Sequence, residues 1–485
     1  MKQTQLFPRL HRMTEPAVAV AKTVACFGLF ASLLLFNTAG DAQLNSSGGS
    51  HRLVSVADFG APSDGRTDAT TPIAAALAQV CSLGGGHVYF PPGTYLVSGK
   101  TVEIPCGKVT LSGDGEVSII RLADGQPKFT RIIHSDGVSG IEIRDLAIDG
   151  NRANQDPGFE QQHAVFLANV KNSRIENNYI HDTVGDGVLA WNGSDGIIVT
   201  NNVFERVKRC SINYQGASHS IASDNTIRDD DAFAVTMEFD AKSPASVGNV
   251  FSSNVLTNVA AGFNINGAAS ANFIQNVVVN GNSIDLRPNG SPNWSVGIYI
   301  SGTTHGVVSG NSVEHAKFGI WVGSAASSVS LAGNVITDSS FGVFIGVGLK
   351  NAPTDVLVAG NVIDRSQIGI SVRAAVDQTR PARITISNNS ITNSAQRGVS
   401  IGSSDSVSVT SNSIQAGSDA AVMLYKFTTP SSAIDIANNR IWSTSPTASI
   451  GIRTLPTDVI DSLSVRGNQF SGVPQQTTSG IKAIP

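Results

Sequence analysis

Two short phrases alternate along most of the chain and set its pattern of apolar and polar positions. The first phrase is an asparagine followed two residues later by an aliphatic or aromatic residue, as in NNYI and GNVI. The second phrase lies between successive asparagines and has glycine as its second residue, after which apolar and variable residues alternate, as in VGIYIS and FGIWVG. That alternation predicts a strand with one buried face. The repeated asparagines are Asn178, Asn202, Asn225, Asn254, Asn282, Asn311, Asn334, Asn361, Asn389, Asn412, Asn439 and Asn468.

The spacing of the asparagines, 24 residues from Asn178 to Asn202 and 29 from Asn225 to Asn254, is typical of a solenoid. We predict that each period forms one coil of three short strands, stacked in parallel about 4.8 Å from the next coil. The asparagines are then expected to form a ladder at one turn, where each amide bonds the next and the asparagine accommodates a left-handed backbone. The segment TPIAAALAQVCS is amphipathic and predicts a helix that covers the open first coil.

The residues before the repeats predict export. Lys2, Arg9 and Arg12 precede an apolar run from 24 to 36, and small residues follow up to Ala42, as in a secretory signal cleaved after that residue. An uncleaved anchor helix is the alternative. We divide the chain into a signal peptide (1–42), a linker (43–52), an N-terminal cap with the first coils (53–150), the repeats (151–470) and a C-terminal tail (471–485). A secreted or periplasmic location follows from this division.

Composition and charge exclude some partners. The formal net charge is −4 and the sequence pI is about 6.1, so electrostatics gives no reason to expect nucleic acid or an anionic membrane as a partner. An oxidising compartment allows Cys81 and Cys106 to pair, since the segment between them could fold back, and leaves Cys210 as a small core residue.

The stretch from 54 to 98 contains DFGA, DGRTD, GGG and FPPGTY in order. It resembles the N-terminal segment of the pectate-lyase-like β-helix superfamily. The resemblance implies an all-β chain that forms a single-domain right-handed parallel β-helix with an N-terminal capping helix. It does not choose a reaction, because the superfamily contains pectin hydrolases, polysaccharide lyases, epimerases, exo-glucanases and phage tailspikes.

The strand after the glycine is expected to carry the site, with the second and fourth residues after glycine pointing outward. Aromatic rings can contact the C–H groups of a sugar, and amides can bind its hydroxyls. The alternative is that the tryptophans only cover the edges of loops. The predicted substrate-binding residues are Trp191, Asn213, Gln215, Asn264, Asn266, Trp294, Tyr299 and Trp321.

Glu238 and Asp240 form the sharpest candidate catalytic pair. Outward residues two apart on a strand lie roughly 6.6 Å apart, within the carboxyl separation of an inverting glycosidase, in which one carboxyl protonates the glycosidic oxygen and the other activates water. Asp230 and its acidic neighbours would raise the pKa of the acid by like-charge repulsion. These carboxylates are also compatible with an ordinary solvated strand, and a shift of one residue in register would turn them inward.

Elimination is the alternative reaction. Lys208 or Arg209 would remove the proton next to a uronate carboxyl, which an arginine or a Ca²⁺ ion would neutralise. Hydrolysis needs no metal or other cofactor.

Epimerisation is a further alternative, suggested by a local resemblance. IDGNRANQD at 148–156 is similar to a phrase of the mannuronan epimerases, but their Tyr-Gly-Phe-Asp-Pro-His pattern is replaced here by DGVLAW, with Asp186, Leu189 and Trp191 at the catalytic positions. The motif set of polygalacturonases is absent, and His163 and His219 are interpreted as surface residues.

We therefore expect an exported enzyme that hydrolyses a polysaccharide in a groove on the β-helix, with a lyase or uronate epimerase as alternatives. The competing class is a glycan-binding or tailspike-like solenoid without catalysis, in which the same aromatic residues would only hold the glycan. The oligomeric state stays open.

Overall fold

The computed structural model describes residues 53–99, 101–239, 243–267, 273–288, 295–346, 351–374, 379–427, 429–444, 450–455 and 460–478. All of them belong to one compact unit, His51–Pro485. The predicted signal peptide and linker lie outside the described residues, as do Asp240 and Trp294. The domain boundaries therefore stay predictions.

The fold is a parallel β-solenoid of about 14 turns with little helix. Most coils contribute two stretches of strand to a 33-stranded sheet, called the first sheet, and one strand to a 15-stranded sheet, called the second sheet. Neighbouring strands pair in parallel, for example Lys171–Glu176 with Asp195–Thr200 and Val188–Trp191 with Ile212–Gln215. The prediction of three-strand coils in parallel register is confirmed.

The first sheet contains Leu53–Ser55, Asp64–Asp68, Gly86–Tyr89, Gly93–Val97, Val109–Leu122, Glu142–Asp149, Lys171–Glu176, Tyr179–His181, Asp195–Thr200, Val203–Glu205, Ile221–Ser223, Thr226–Arg228, Ser246–Val247, Val250–Ser252, Val255–Val259, Ile274–Gln275, Val278–Asn280, Ser283–Leu286, Thr303–Thr304, Val307–Ser309, Ser312–Glu314, Ser327–Ala332, Val335–Thr337, Thr354–Ala359, Val362–Asp364, Ala382–Ser387, Ser390–Thr392, Asp405–Thr410, Ser413–Gln415, Ser432–Ala437, Arg440–Trp442, Asp461–Arg466 and Gln469–Ser471.

The second sheet contains Val102–Glu103, Ile133–Asp136, Val165–Ala168, Val188–Trp191, Ile212–Gln215, Phe233–Glu238, Ala261–Asn266, Val296–Ser301, Phe318–Val322, Phe341–Gly346, Ile368–Arg373, Arg397–Gly402, Ala420–Tyr425, Ile450–Thr454 and Gln475–Thr477.

The α-helix spans Thr70–Ser82 and buries Ile73, Leu77 and Val80 in the main core. This spacing places the three side chains on one face of the helix. Its role as a cap of the first coil stays a prediction. Two short 3₁₀ helices occupy Val56–Phe59 and Arg152–Asn154, and no described helix is long and apolar enough to cross a membrane.

The predicted disulfide between Cys81, in the helix, and Cys106 is confirmed. Cys210 is a free, buried cysteine, as expected. The disulfide closes a loop of 25 residues at the N-terminal end of the solenoid, where a crosslink of this length typically contributes about 3 kcal/mol.

The asparagine ladder runs through the turn between the two strands of the first sheet in each coil. The side-chain oxygen of Asn202 accepts hydrogen bonds from the backbone N–H and the side-chain amide of Asn178, both at 3.0 Å, and its own amide donates to the oxygen of Asn225. The ladder itself is confirmed, but the predicted left-handed backbone is displaced by one residue. It is the residue before each ladder asparagine that has positive φ, for example Asn177 at 55° and Gly333 at 63°.

The glycines near the start of the second-sheet strands are required because there is no room for a side chain. A Cβ added at Gly319 would lie 2.4 Å from Cγ2 of Ile336 and 2.5 Å from the carbonyl oxygen of Gly342. Real Cβ atoms do not approach this closely, so a larger residue would force the strand away from the aliphatic core. The repeated glycine phrase is therefore a packing requirement of the coil.

We predict that Asn334→Ala lowers the free energy of unfolding by about 2–4 kcal/mol, because it leaves the amides of Asn311 and the carbonyl of Val308 buried without their partner. Urea denaturation followed by circular dichroism measures the change. Asn468→Ala, in a coil where the asparagine is partly exposed, should cost less than half as much. Equal effects of the two substitutions would contradict the ladder as the source of the stability.

Candidate functional site

The outward positions of the second sheet are in register from coil to coil. Leu189 pairs with Asn213, Asn213 with Thr236, and Thr236 with Asn264. On the strand of Glu238, the inward residues Val235 and Met237 are fully buried in the core, and Glu238 points outward with 28% of its side chain exposed. The strand therefore has the predicted register, in which Glu238 points outward. A shift of one residue would have turned it inward.

A cleft of about 230 Å³ opens on this face over the early coils. It is lined by Arg131, Gln161, Phe166, Leu189, Trp191, Arg209 and Gln215. The cleft combines two cations, two aromatic rings and amide groups in a small concave site, the composition expected of a site that binds a polar ligand with apolar faces.

Arg209 connects two carboxylates at the edge of the cleft. Its Nη1 donates to Oδ2 of Asp186 at 2.6 Å, and its Nη2 donates to Oε1 of Glu238. The side-chain amide of Asn213 lies between the same two oxygens, 3.2 Å from Asp186 and 3.3 Å from Glu238. Three consecutive strands of the second sheet thus meet in one network, and the nearby carboxylates stabilise the charged form of Arg209 and raise its pKa.

Asp186 is fully buried beneath this network. Burial raises the pKa of Asp186 to about 6, while Arg209 acts in the opposite direction. Its Oδ1 has no hydrogen-bond partner. A buried carboxyl with a pKa near neutrality next to an arginine and a second carboxylate is typical of a functional site.

His163 packs against Asp186. The prediction that it is a surface residue is wrong. It is fully buried, and its Nδ1 accepts a hydrogen bond of 3.0 Å from the backbone N–H of Asp186. Since Nδ1 accepts, the proton of the neutral ring is on Nε2, and burial lowers the pKa of His163 well below its usual value. His219, in contrast, is exposed and pairs with Asp195 at 2.9 Å.

Arg131 supplies the second cation of the cleft. Its guanidinium lies 3.8 Å from the centre of the Phe166 ring, and that ring is 6.0 Å from the ring of Trp191. No carboxylate of the described residues pairs with Arg131, and its Nε is buried without a hydrogen-bond partner. An arginine stacked on an aromatic ring beside a tryptophan forms a surface suited to an acidic sugar.

Two predicted catalytic residues lie away from the cleft. Lys208 points to the carbonyl oxygen of Pro157. Asp230 is fully buried in a turn, where it accepts hydrogen bonds from the hydroxyl of Ser211 at 2.6 Å and from the backbone N–H of Val207 at 3.1 Å. Burial, rather than the neighbouring carboxylates, is the main cause that raises the pKa of Asp230, to about 8. Neither residue lines the cleft, and their catalytic roles stay predictions.

The expected exposure of the aromatic residues is correct for Trp191 and wrong for Tyr299 and Trp321. Trp191 is half-buried at the cleft. Tyr299 and Trp321 are only 7% and 6% exposed, because they pack with Phe318 and Phe344 in a separate aromatic cluster on the outer face of the sheet. Packing already uses the faces of these rings, so a sugar cannot stack on them here.

Two of the four predicted amide residues belong to the cleft or its network, and the other two lie on a later strand. Gln215 lines the cleft and Asn213 belongs to the network of Arg209. Asn264 and Asn266 are half-buried on the following strand, in register with Thr236 and Glu238. They extend the polar surface toward the C-terminal coils.

Within the described part of the chain, two groups of carboxylates and histidine come close enough to share an ion, Asp149–His181–Asp182 and Asp285–Glu314–His315. Neither group lines the cleft. Asp182 is held by Arg206 at 2.7 Å, and His315 pairs with Asp285 at 2.8 Å, so ion pairs account for both clusters.

Sequence reasoning missed Arg131, Gln161 and Phe166. These residues belong to coils that precede the asparagine repeat, so no periodic phrase fixed their position. The sequence placed Asp186 in the turn before the strand of Trp191, at a substituted position of an epimerase motif, without assigning it a role. Asp186 comes directly before Gly187, two residues before the strand Val188–Trp191. Arg209 comes shortly before Ile212–Gln215, the strand that pairs with it in the next coil. This shared position in two successive coils was the signal that could have predicted their contact.

Two family models match different halves of the chain. Residues 53–264 match the family described as "Rhamnogalacturonase A/epimerase, pectate lyase-like". Residues 293–479 match "Periplasmic copper-binding protein (NosD)". The boundary between the matches falls near the transition from the chemically rich early coils to the later ones.

Curated relatives align with about a third of the chain or less. Alginate lyase 7 of Azotobacter vinelandii is 33% identical over 205 residues, which cover 34% of this chain and 24% of that protein. Mannuronan C5-epimerase AlgE6 of the same organism is 41% identical over 111 residues, 20% of this chain and 12% of that protein. The chain thus matches a quarter or less of the length of these relatives.

Among solved structures, a tailspike protein of E. coli bacteriophage HK620, determined with a hexasaccharide, has a TM-score of 0.59 at 14% identity and covers 82% of this chain and 77% of that one. At this identity the likeness concerns the fold. The comparisons and the parallel solenoid together confirm the resemblance to the pectate-lyase-like right-handed β-helix superfamily.

We predict that Asp230→Asn makes the protein more stable at alkaline pH. The folded pKa of about 8 lies above the ordinary value of 3.8, so the unfolded chain loses this proton first and the wild-type free energy of unfolding falls as pH rises from about 4 to about 8. Each unit of pKa difference corresponds to about 1.4 kcal/mol. Asparagine can accept the hydrogen bond from the backbone N–H of Val207 with its Oδ1 and donate one from its Nδ2 to the hydroxyl oxygen of Ser211, without a titrating group.

The measurement is urea denaturation of both proteins from pH 4 to pH 9. The variant should match the wild type near pH 4 and exceed it by several kcal/mol near pH 8. Parallel stability curves across this range would contradict the buried, protonated state of Asp230.

Proposed function

We propose that this protein is an exported enzyme that hydrolyses an acidic polysaccharide in the groove over the second sheet, with Glu238 as a catalytic carboxylate. The observation that carries the proposal is the network in which Arg209 joins Glu238 to the buried Asp186 beside a cleft that also presents Arg131. A buried carboxyl with a raised pKa, Asp186, that meets a second carboxylate and an arginine beside a cleft supports an active site.

The cleft favours an acidic sugar. Arg131 has no carboxylate partner among the described residues, and its guanidinium is stacked on Phe166 beside Trp191. A uronate carboxylate would complete the hydrogen bonding of this guanidinium, and Trp191 would contact the ring of the sugar. Alginate and mannuronan, the polymers named in the descriptions of the relatives, are uronate chains, which supports this substrate class.

The geometry of Glu238 supports a role at the reacting bond. Its Oε1 is held by Arg209 and Asn213, while its Oε2 accepts no hydrogen bond from the described residues. We assign to Oε2 the removal of a proton from a water molecule, whose oxygen bonds to the anomeric carbon as the glycosidic C–O bond breaks. A second carboxyl gives its proton to the leaving oxygen. Asp240, two residues further along the chain, is proposed as the second carboxyl. Asp186, Asn213 and Arg209 are positioning residues for Glu238.

The described residues favour hydrolysis over proton abstraction by a basic side chain. The ion pair with Asp186 raises the pKa of Arg209, which makes it a poor base. Lys208 points to Pro157, away from the cleft. Leu189 and Trp191 occupy the positions where the epimerase pattern has its aspartate and histidine. Elimination is the second candidate, supported by the name of alginate lyase 7.

We predict that Glu238→Gln lowers kcat on the cleaved polyuronate by at least about a hundredfold, because the amide cannot accept a proton. Polygalacturonate and alginate are the substrates to test. Glu176→Gln is the matched control, since Glu176 also pairs with an arginine, Arg174 at 3.2 Å, but lies on the first sheet.

Mass spectrometry of the products separates the reactions. Hydrolysis adds one water per cleavage, elimination adds none and creates an ultraviolet-absorbing double bond, and epimerisation leaves the chain length unchanged. A wild-type product with the mass of elimination, lost on addition of a chelator, would replace hydrolysis by the second candidate. Tight binding without any product would identify a glycan-binding solenoid.

We also predict that Asp186→Asn changes the pH profile. The pKa of Asp186 is about 6, so above this pH it is ionised and shares Arg209 with Glu238, and below it Arg209 belongs to Glu238 alone. The wild-type kcat should therefore change between about pH 5 and 7.

The variant should lose this inflection and keep measurable activity, because Asp186 acts through Arg209. The readout is kcat and KM from pH 4 to 9, with Asp195→Asn, an exposed aspartate, as control. An inflection that persists unchanged in Asp186→Asn would contradict this role.

A further inference from the structure

A second arginine on the outer face of the second sheet lies in the C-terminal half of the solenoid. Arg373 ends the strand Ile368–Arg373, and its partners in register on the two neighbouring strands are Gly346 and Gly402. Because both partners are glycines, no side chain at the equivalent position of either neighbouring strand lies beside the guanidinium.

Aromatic rings surround Arg373. The centre of its guanidinium is 5.3 Å from the ring of Phe344 and 5.0 Å from the ring of Phe427. The ring of Tyr425 lies over Gly402, where an added Cβ would come within 2.6 Å of it. Phe427 is 42% exposed, so one face of this group of rings is open to solvent.

Arg373 differs from the arginines around it because it has no carboxylate partner among the described residues. Arg365 pairs with Asp338 at 2.7 Å, and Arg397 pairs with Asp419 at 2.6 Å. The Nε of Arg373 is buried and makes no hydrogen bond. Buried donors are rarely left unsatisfied in proteins, and a ligand is one way to satisfy them.

Arg131, in the cleft, has the same combination of features: an aromatic partner, a buried Nε without a bond and no paired carboxylate. The strand that follows Arg131 and the strand of Arg373 are nine steps apart in the second sheet, roughly 40 Å at about 4.8 Å per step. Arg373 lies on this sheet and Arg131 lies two residues before one of its strands, so the two cations are separated along the direction in which the coils stack.

We propose that Arg373, Phe344, Phe427 and Tyr425 form a second, non-catalytic subsite that binds a carboxylated segment of the polysaccharide at a distance from the cleft. The guanidinium binds the carboxylate in a charge-assisted hydrogen bond, and the exposed ring of Phe427 contacts the sugar. The ligand class rests on the proposed function, whereas the location of the subsite rests on Arg373 itself. Its effect is to hold long chains on the solenoid by a second contact.

The experiment measures binding of two lengths of the same sugar by isothermal titration calorimetry. The probes are polygalacturonate and trigalacturonate, with alginate and its trisaccharide as a second pair and neutral dextran as the control polymer. Arg373→Gln should weaken binding of the acidic polymer about tenfold and leave the trisaccharide unchanged, because the short ligand occupies only the cleft. Phe427→Ala should weaken polymer binding in the same selective way, and raised salt should reduce the difference between wild type and Arg373→Gln.

Arg440→Gln is the matched control, because Arg440 is an exposed arginine on the first sheet. It should leave polymer affinity within twofold of the wild type, and equal melting temperatures should show that each variant is folded. An Arg373→Gln protein that is folded and binds the polymer like the wild type would overturn the subsite.

A comparison with Arg131→Gln separates this proposal from the function. Loss of trisaccharide binding in Arg131→Gln together with unchanged polymer binding in Arg373→Gln would leave the proposed cleft standing and remove the second subsite. Selective loss in Arg373→Gln with no effect of Arg131→Gln would support the subsite and contradict the cleft. A wild type that binds neither acidic polymer would overturn both.

Discussion

The structure depends on the parallel stacking of one coil on the next. A single coil is too thin to bury its own apolar side chains, so each inward residue is covered by its copies above and below. The asparagine ladder fixes the register of this stacking, because each side-chain oxygen accepts two hydrogen bonds from the asparagine of the preceding coil. A coil displaced by one residue would lose these bonds and expose its core. The repeat therefore sets where every outward side chain lies.

The candidate site is a direct consequence of that register. Asp186, Arg209 and Glu238 are distant in the sequence by 23 and 29 residues, close to one repeat each, so the coils bring them into contact. Arg209 can bridge its neighbours because it belongs to the middle coil of the three. The solenoid thus supplies the rigid support that a preorganised site needs, while the side chains at equivalent positions of each coil can vary without changing the fold.

The sequence was sufficient for the coils but only partly for the site. The alternation along the strands correctly placed Trp191, Asn213 and Glu238 on the outer face, because a period of two is preserved even in the two strands that lack the glycine of the other repeats. It could not show what covers that face. Tyr299 pairs in register with Trp321, and Trp321 pairs with Phe344 on the next strand. Successive large rings in one column bury one another. Arg131 and Phe166 precede the periodic region, so nothing in the repeat located them.

The three arginines discussed above differ in whether a carboxylate pairs with them. We relate this difference to two proposed roles, the positioning of Glu238 and the binding of the polysaccharide. Arg209 has two carboxylate partners, so its charge is already compensated and its contribution is to fix the geometry of Glu238. Arg131 and Arg373 lie on aromatic rings without a paired carboxylate among the described residues. Keeping a partly desolvated, unpaired cation costs folding free energy. That cost is recovered when a ligand brings the missing anion, and an anionic chain running along the stacked coils can reach both positions.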